Sequence, residues 1–331
     1  MRLGMQVYAL FLILMVGLRY EVGGDWGNYI PILERARDQT LEDGLMPTGD
    51  PAYGVLNWIG ANIVGGIFFV NLVCATIFSY GLISFVRTSH RPWLAVCVAV
   101  PYLVIVVTMG YTRQGVAIGL AMLALAALER GRVFVFGTWI VAAALFHKSA
   151  LILMPLAVFS GRKTFPNLVG ISIAGTLFFL LLLYEHIESL VSGYITEGYG
   201  SSGAGTRVAM NALPAMVFLL LRGKMCLTDA QRYFWVWMSV GALAFVVLLV
   251  VSPSSTAVDR IALYWIPLQL FVWSRLPETL GRTSATKRQW VLAVVLYSGL
   301  VQYTWLNFAD NRLSWVPYRF YPWEWVSTGG N

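Results

Sequence analysis

Charged residues are scarce in this chain. Asp, Glu, Lys and Arg make up 12% of its 331 residues, and 58% of the residues are hydrophobic. Soluble globular domains carry about 25% charged residues. This composition excludes an ordinary soluble domain and predicts an all-α, polytopic transmembrane helical bundle, because helices satisfy their own backbone hydrogen bonds in lipid. We expect a single integral membrane domain over residues 1–331.

Several chemistries also lack their sequence signatures. The three cysteines, Cys74, Cys97 and Cys226, have no spacing suited to a disulfide framework or a metal site. The chain has no phosphate-binding loop of the Walker A type and no Asp-x-Asp pair that would hold a divalent cation on a nucleotide sugar. We therefore expect no metal and no cofactor, and a nucleotide-sugar donor is unsupported.

Lysine is rare as well, since 19 of the 23 basic residues are Arg and only 4 are Lys. The planar guanidinium suits bidentate contact with phosphate or carboxylate, although a G+C-rich genome gives the same bias. The net charge of +7 does not indicate nucleic acid, because the basic residues concentrate in short loops between apolar segments. Positive-inside topology accounts for that distribution.

Apolar segments long enough to cross about 30 Å of hydrocarbon follow one another along the chain. They lie near 3–19, 66–86, 93–110, 112–129, 165–186, 233–252 and 290–308. The runs 207–222 and 261–276 are short but bounded by charges, and we expect both to span as well. The stretch 133–160 is either one long helix or two short ones broken at Phe146-His147-Lys148. Only the broken form keeps every basic loop in the cytoplasm. It predicts 10–12 spans, with the first segment retained as a helix rather than cleaved as a signal.

Two long loops are then predicted on the outer face. Loop 20–65 contains an amphipathic stretch, and its residues 53–64 are apolar but too short to span, which predicts a re-entrant or interfacial helix. Loop 187–206 is rich in Gly and Ser, a composition typical of a mobile segment. The tail 309–331 is aromatic and forms either an interfacial belt or a platform for sugar rings.

Ionisable residues at the ends of the apolar segments all fall on the outer side in this topology. Charge at membrane depth is costly unless it faces a polar cavity, so we expect an outward-facing cavity that is the functional site. Its candidate members are Arg19, Asp25, Arg113, His147, Lys148, Arg207, Asp259 and Arg260.

Each candidate also has a structural interpretation. Arg113 opens a helix, where free N–H groups and the dipole would help it to bind an anion, or it snorkels to the interface. His147 serves as a general base or as a hydrogen-bond donor to phosphate, or it only fills a helix break. Asp25 accepts a proton from a sugar hydroxyl or orients it, and it can also cap the following helix.

The remaining candidates lie after residue 200. Arg207 follows the Gly-rich loop and resembles a mobile clamp on substrate. It is also placed at a membrane end, where its side chain would snorkel to the interface. Asp259 and Arg260 either contribute to the site or form an ion pair that holds two helices together. Between the two candidate bases we favour Asp25. His147, beside Lys148 at a buried break, suits a donor to a diphosphate leaving group.

Five short motifs follow one another from residue 19 to residue 264. They are Arg19 with Gly24-Asp25 and Tyr29, Asp50-Pro51-Ala52-Tyr53 with Leu56-Asn57, Arg113-Gln114-x-x-Ala117, Phe146-His147-x-Ser149-Ala150, and Arg260-x-x-x-Tyr264. In this order they resemble the EpsG family of Wzy-type polysaccharide polymerases. The resemblance covers most of the chain, with two departures: Asp50 stands where the family usually shows Glu, and the family's first hydrophobic segment is not matched at the start.

This resemblance implies a membrane glycosyltransferase that polymerises exopolysaccharide or O-antigen repeat units at the periplasmic face of the bacterial inner membrane. The implied partners are a polyprenyl-diphosphate-linked oligosaccharide, membrane lipid, and chain-length-regulating and export proteins, with no nucleic acid. Fixed Arg donors would stabilise the diphosphate leaving group without a metal. With the candidates above, the predicted substrate-binding residues are Arg19, Tyr29, Tyr53, Arg113, Gln114, Arg207, Arg260 and Tyr264.

Three other functions remain open from the sequence. They are a flippase or transporter of the same lipid-linked sugar, a ligase that moves glycan to another acceptor, and a scaffold of an export complex. A flippase needs charge access from both leaflets, whereas these candidates lie at one end, which favours the enzyme.

The topology can be tested by cysteine labelling. In a chain whose three native cysteines are replaced, Ser149→Cys should react from outside with an impermeant thiol reagent, because the predicted break faces outward. Thr283→Cys, in a predicted cytoplasmic loop, should react only after permeabilisation. Labelling of position 283 alone in intact cells would show that the site faces the cytoplasm.

Overall fold

The computed structural model describes residues 2–44, 49–159, 169, 175, 203–252 and 254–327. These residues form helices and connecting turns, and the one β interaction among them is an isolated bridge between Arg19 and Phe320. The structure is therefore an all-α helical bundle, as the composition predicted.

The helices begin and end close to the predicted boundaries. They are α1 (Arg2–Gly17), α2 (Trp26–Arg37), α3 (Leu41–Gly44), α4 (Pro51–Asn62), α5 (Gly66–Val86), α6 (Pro92–Ala99), α7 (Thr112–Glu129), α8 (Val133–Ala144), α9 (Ala204–Leu221), α10 (Asp229–Val251), α11 (Ser255–Ala262), α12 (Ile266–Leu280), α13 (Ser284–Phe308) and α14 (Tyr321–Ser327). A π-helix at Val100–Thr108 continues α6, and 3₁₀ helices occupy Lys148–Phe159, Leu263–Trp265 and Arg312–Ser314.

Five of these helices, α5, α7, α9, α10 and α13, are long and apolar enough to cross a membrane. Shorter apolar helices lie at Leu3–Gly17, Pro92–Thr108, Val133–Ala144 and Lys148–Val158. The chain is thus a polytopic membrane protein. The predicted span 165–186 lies outside the described residues, apart from 169 and 175, and so does most of the predicted mobile loop 187–206.

The break predicted at Phe146-His147-Lys148 is confirmed. Helix α8 ends at Ala144, and a separate 3₁₀ helix begins at Lys148. The predicted span 261–276 is more complex, because α11, the 3₁₀ turn and α12 form one helical run. Helix α12 is almost wholly buried and packs against α6, α9 and α13 in the interior of the bundle.

Helices α5 and α7 cross at the closest contact in the bundle. A Cβ atom added at Gly81 would lie 2.1 Å from the carbonyl oxygen of Gly119, and one added at Gly119 would lie 2.7 Å from the Cα atom of Phe78. Small residues of this kind let membrane helices approach backbone to backbone. The crossing fixes α7, whose first turn carries Arg113.

The first long loop contains the helices that its sequence predicted. Helix α2 covers the amphipathic stretch and buries Tyr29, Leu33 and Ala36. Helix α4 begins at Pro51, a residue well suited to the first helical position, and packs against α2 and α5. The apolar stretch 53–64 is therefore a 12-residue helix that starts two positions earlier than predicted.

The C-terminal segment 309–321, here called the C-terminal strap, is hydrogen-bonded to the start of the first loop. The Gly23 amide donates to the Ser314 carbonyl at 2.7 Å, and the Tyr20 amide donates to the Arg319 carbonyl at 3.0 Å. The Tyr318 hydroxyl donates to the Met15 carbonyl at 2.6 Å. These bonds hold the two ends of the described chain together.

Trp315 anchors the strap. Its indole N–H donates to the Ile105 carbonyl at 2.8 Å, and only 3% of the residue is exposed. A Cβ atom at Gly110 would lie 2.2 Å from the indole ring, so only glycine fits there. Trp315 is thus neither an interfacial belt residue nor a sugar platform. Trp323 in α14, at 78% exposure, is compatible with either role.

The α5–α7 crossing should be intolerant of a single methyl group. Gly81→Ala places that group against the Gly119 carbonyl, so we expect a lower thermal unfolding midpoint and a loss of about 1–3 kcal/mol, the usual range for overpacking. Gly299→Ala, in α13 with no atom within 4 Å of the new Cβ, is the matched control and should be neutral or slightly stabilising. Equal midpoints for the two variants would contradict the close crossing.

Candidate functional site

Four helices begin close to one another, and each carries a charged residue at or near its start. The residues are Asp25 before α2, Asp50 before α4, Arg113 in α7 and Arg207 in α9. The Asp25 amide donates to the Gly110 carbonyl at 3.1 Å, directly ahead of α7. Helix starts present free N–H groups and the positive end of the dipole, so this surface favours anions.

Asp50 lies at the centre of one half of the site. Its Oδ2 accepts a hydrogen bond from Nη1 of Arg113 at 2.8 Å and lies 3.9 Å from Nδ1 of His147. The residue is 4% exposed, and its side chain does not cap α4. The Ala52 amide donates to the Leu145 carbonyl at 2.9 Å, which joins the start of α4 to the break that carries His147.

Asp50 is a site residue that the predicted set omitted. The sequence showed it only as one letter of a motif, ahead of a proline, where Asp commonly caps a helix. A carboxylate that is buried but does not cap its own helix has its oxygens directed elsewhere. Here they bring Arg113 and His147 together.

Asp25 stands at the N-cap position of α2, yet its side chain makes no capping hydrogen bond. Its Oδ2 instead accepts from the Tyr29 hydroxyl at 3.3 Å. Within the described residues no basic side chain forms an ion pair with it, and the residue is half-buried. Capping therefore explains why Asp25 stands directly before α2, but it does not explain what the carboxylate binds.

Tyr29 and Tyr53 connect the two carboxylates. Their ring centroids are 5.7 Å apart, and Cζ of Arg113 lies 5.8 Å from the Tyr53 ring. Burial, together with nearby Asp25, raises the pKa of Tyr29, so its hydroxyl stays protonated as a donor. Both tyrosines are essentially buried and support the site from behind.

A second group of charges lies on α9 and α11. Nε of Arg207 donates to Oδ1 of Asp259 at 2.5 Å. Nε2 of Gln114 donates to the Arg260 carbonyl at 2.6 Å, which ties α7 to α11. The Arg260 side chain itself is exposed and has no hydrogen bond or ion pair within the described part of the chain.

Tyr111, in the turn before α7, lies between the two groups. Burial raises its pKa, Asp25 and Asp259 raise it further, and Arg207 and Arg260 oppose the rise, so charges of both groups act on this hydroxyl. Sequence reasoning missed Tyr111, because a neutral residue beside Arg113 carried no signal of its own. Its place among two carboxylates and two guanidinium groups is visible only in three dimensions.

Two predicted residues are wholly buried. Tyr264 is 0% exposed, and its hydroxyl accepts from the Ser149 hydroxyl at 3.2 Å, just after the break. Arg19 is 1% exposed and donates to the Val16 and Val22 carbonyls and to side chains of α5 and α7. Substrate contact by either residue stays a prediction, whereas their role in joining helices is observed.

The charges of the site are unequally compensated. Of three carboxylates, Asp50 and Asp259 each have an Arg partner, whereas Asp25 has none in the described structure. Arg113 and Arg207 are the two partners, and Arg260 is left without one. The described residues contain no group of three or more His, Cys, Asp or Glu able to hold a metal ion. Anions here would be bound by arginine.

Comparison with known proteins gives one match. A family profile described as "EpsG family" matches residues 5–320, nearly the whole chain. No curated protein and no solved structure matches the sequence significantly.

The Arg113–Asp50 pair should be strongly coupled. Asp50→Asn leaves a half-buried guanidinium without its counterion, so we expect a loss of about 1–2 kcal/mol, seen as a lower thermal unfolding midpoint in detergent. Adding Arg113→Gln should restore part of that loss. The control is Arg91–Glu278, with a similar 2.7 Å contact but 36% and 33% exposed side chains, which should show little coupling. Additive effects at Asp50 and Arg113 would contradict the pairing.

Proposed function

The chain belongs to the EpsG family of membrane proteins associated with polysaccharide biosynthesis, and on that premise we propose that it is a polysaccharide polymerase. It would join polyprenyl-diphosphate-linked repeat units at the outer face of the bacterial inner membrane, without a metal. The observation that carries the proposal is the unequal charge compensation. Among the described residues, the Asp25 carboxylate and the Arg260 guanidinium have no ion-pair partner, and both lie close to the surface on which four helices begin.

The reaction needs one group of each kind. A sugar hydroxyl of the acceptor attacks the anomeric carbon of the donor, a new C–O bond forms, and the C–O bond to the diphosphate breaks. The hydroxyl proton must pass to a base, and the departing lipid diphosphate keeps the electron pair as added negative charge. Fixed guanidinium donors and helix N-termini stabilise that charge as it develops.

Asp25 is the base that the surroundings support best. It is half-buried, has no counterion among the described residues, and is oriented by the Tyr29 hydroxyl. Asp50 is a weaker candidate, because Arg113 already bonds its Oδ2 and the residue is only 4% exposed.

His147 stands beside Asp50 at the break between α8 and the 3₁₀ helix. With Nδ1 facing the carboxylate at 3.9 Å, its other ring nitrogen is left to meet substrate. This supports the predicted role of His147 as a donor to the diphosphate leaving group.

The opposite end of the bundle also carries charged groups, among them Glu129, which accepts from Gln231 and Trp235, and the buried Arg275. Glu278 there is bonded to Arg91 and Lys287, which ties the starts of α6 and α13 to the end of α12. Helix α7 alone separates the two ends by about 27 Å at 1.5 Å per residue over 18 residues. Charge lies at both ends, so a flippase is the alternative function that the experiment below distinguishes from a polymerase.

The proposal is tested by the lipid-linked glycan of cells that lack the chain. Single repeat units should accumulate on the outer face, and the wild-type chain should restore long polymers. Asp25→Asn should express normally but restore none, because the base has lost its charge. His147→Gln should restore part of the activity, since the Gln amide still provides a hydrogen-bond donor.

Asp38→Asn is the matched control, an exposed acid at the other end of α2, and it should behave as wild type. Single units accumulating on the inner face of the deletion strain would indicate a flippase instead. Normal polymers from Asp25→Asn, with none from His147→Gln, would reverse the two roles.

A further inference from the structure

Four aromatic side chains from three distant parts of the chain form a closed circuit, here called the aromatic quartet (Tyr20, Trp26, Phe68 and Tyr321). The rings of Phe68 and Tyr321 are stacked with their centroids 3.8 Å apart. The Trp26 ring lies 6.2 Å from Tyr20 and 6.3 Å from Phe68, and Tyr20 and Tyr321 close the circuit at 6.4 Å. All four residues are half-buried, so part of each reaches the surface.

The quartet is held in place by the backbone and by one buried cation. Backbone hydrogen bonds of 2.8 and 3.0 Å join residues 18–20 to residues 319–321. Cζ of Arg19 lies 5.8 Å from the centroid of the Trp26 ring, and four hydrogen bonds fix that guanidinium. Rings that are fixed before a ligand arrives bind it at a smaller cost in conformational entropy.

The quartet lies at the end of the bundle that carries the candidate base, because Trp26 directly follows Asp25. Polar groups surround it. Glu21, next to Tyr20, forms an ion pair with Arg319, and the two side chains are 48% and 43% exposed. Charged side chains that are so exposed lie in water, so the quartet borders the aqueous surface.

A sugar ring has the chemistry that fits this surface. Its faces are rich in C–H groups, and its edge carries hydroxyls. Aromatic rings bury such faces, while a few polar groups fix the orientation of the ligand. The rim of the quartet supplies those polar groups in Glu21, Arg319 and Asp25. The quartet therefore has both parts of a carbohydrate site.

An interfacial belt is the other role that aromatic residues at this depth can serve. Trp323 fits that role, since it is 78% exposed and has no ring contact within the described part of the chain. It lies two positions after Tyr321, and at 3.6 residues per turn the two side chains point to opposite faces of α14. Trp323 therefore lies outside the quartet.

We infer that the aromatic quartet is the subsite that binds a sugar ring of the acceptor glycan. The acceptor is assigned rather than the donor because Trp26 adjoins Asp25, the group proposed to receive the acceptor's proton. That assignment rests on the proposed function. Tyr321 makes the C-terminal helix α14 a part of the substrate site.

The test measures binding rather than turnover. The purified full chain in nanodiscs is titrated with oligosaccharides prepared by partial acid hydrolysis of the polysaccharide that wild-type cells make, and binding is followed by saturation-transfer-difference NMR. Trp26→Leu should weaken binding about three- to tenfold, the loss expected for one aromatic contact. Trp26→Phe should keep most of the affinity, because a ring remains.

Tyr321→Leu, which changes the quartet from the other end of the chain, should give a loss similar to that of Trp26→Leu. The matched control is Trp323→Leu, which removes a more exposed ring from the opposite face of the same helix and should bind within about twofold of wild type. Thermal unfolding midpoints of all variants separate a lost contact from a misfolded chain, and retention of affinity in Trp26→Phe does so independently.

Three results would overturn the inference: no binding of the oligosaccharides to the wild-type chain, unchanged affinity in both Leu variants of the quartet, or an equal loss in Trp323→Leu. The last result would indicate a general belt of aromatic residues.

Failure of the polymerase proposal is separate from these results. A chain that binds the oligosaccharides through the quartet, but whose deletion leaves glycan length unchanged, keeps this site and loses the polymerase. Single repeat units on the outer face of the deletion strain, with equal affinity in every variant, keep the polymerase and remove this site.

Discussion

A charge placed inside a membrane bundle must find its stabilising partners within the protein, because lipid offers none. Arg19 shows how much structure that constraint can organise. Its guanidinium donates to the Val16 and Val22 carbonyls and reaches Asn71 of α5 and Thr112 of α7, at 2.6 Å in the last case. One buried cation thus joins α1, the first loop, α5 and α7. The same bonds set the start of α7, and therefore Arg113, relative to the loop that carries Asp25.

The C-terminal strap also contacts the loop that carries Asp25. Trp315 packs against Gly110 and Gly24, the neighbours of Tyr111 and Asp25, and donates to Ile105 in the π-helix. The strap therefore supports the backbone on which Asp25 lies, although the two are far apart in sequence. Because a catalytic base has to be held to within a fraction of an ångström, this double support fits the role proposed for Asp25.

Hydropathy and charge asymmetry in the sequence were enough to predict the helices. The predicted segment 66–86 agrees residue for residue with α5, and 112–129 with α7, because an apolar run bounded by charge leaves little choice of ends. The break at His147 followed from the side on which the basic loops must lie. The pairing of charged side chains was not predictable in this way. Nothing in the linear order says that Arg113 meets Asp50 rather than Asp25. In the sequence, Asp50 looks like a helix cap, Tyr111 like a spacer and Trp315 like a residue of an interfacial belt.

Those unpredicted pairs decide which residues remain available for chemistry. An arginine already bound to a buried carboxylate is held in place by the low dielectric around it, whereas an exposed arginine retains its water until a ligand replaces it. In the proposed reaction the donor diphosphate supplies the counterion that Arg260 lacks in the described structure. The acceptor hydroxyl meets Asp25, the site carboxylate for which the described residues provide no guanidinium partner. The sequence presents the three arginines Arg113, Arg207 and Arg260 as equivalent candidates. Two aspartates, by binding the first two, leave the third for substrate.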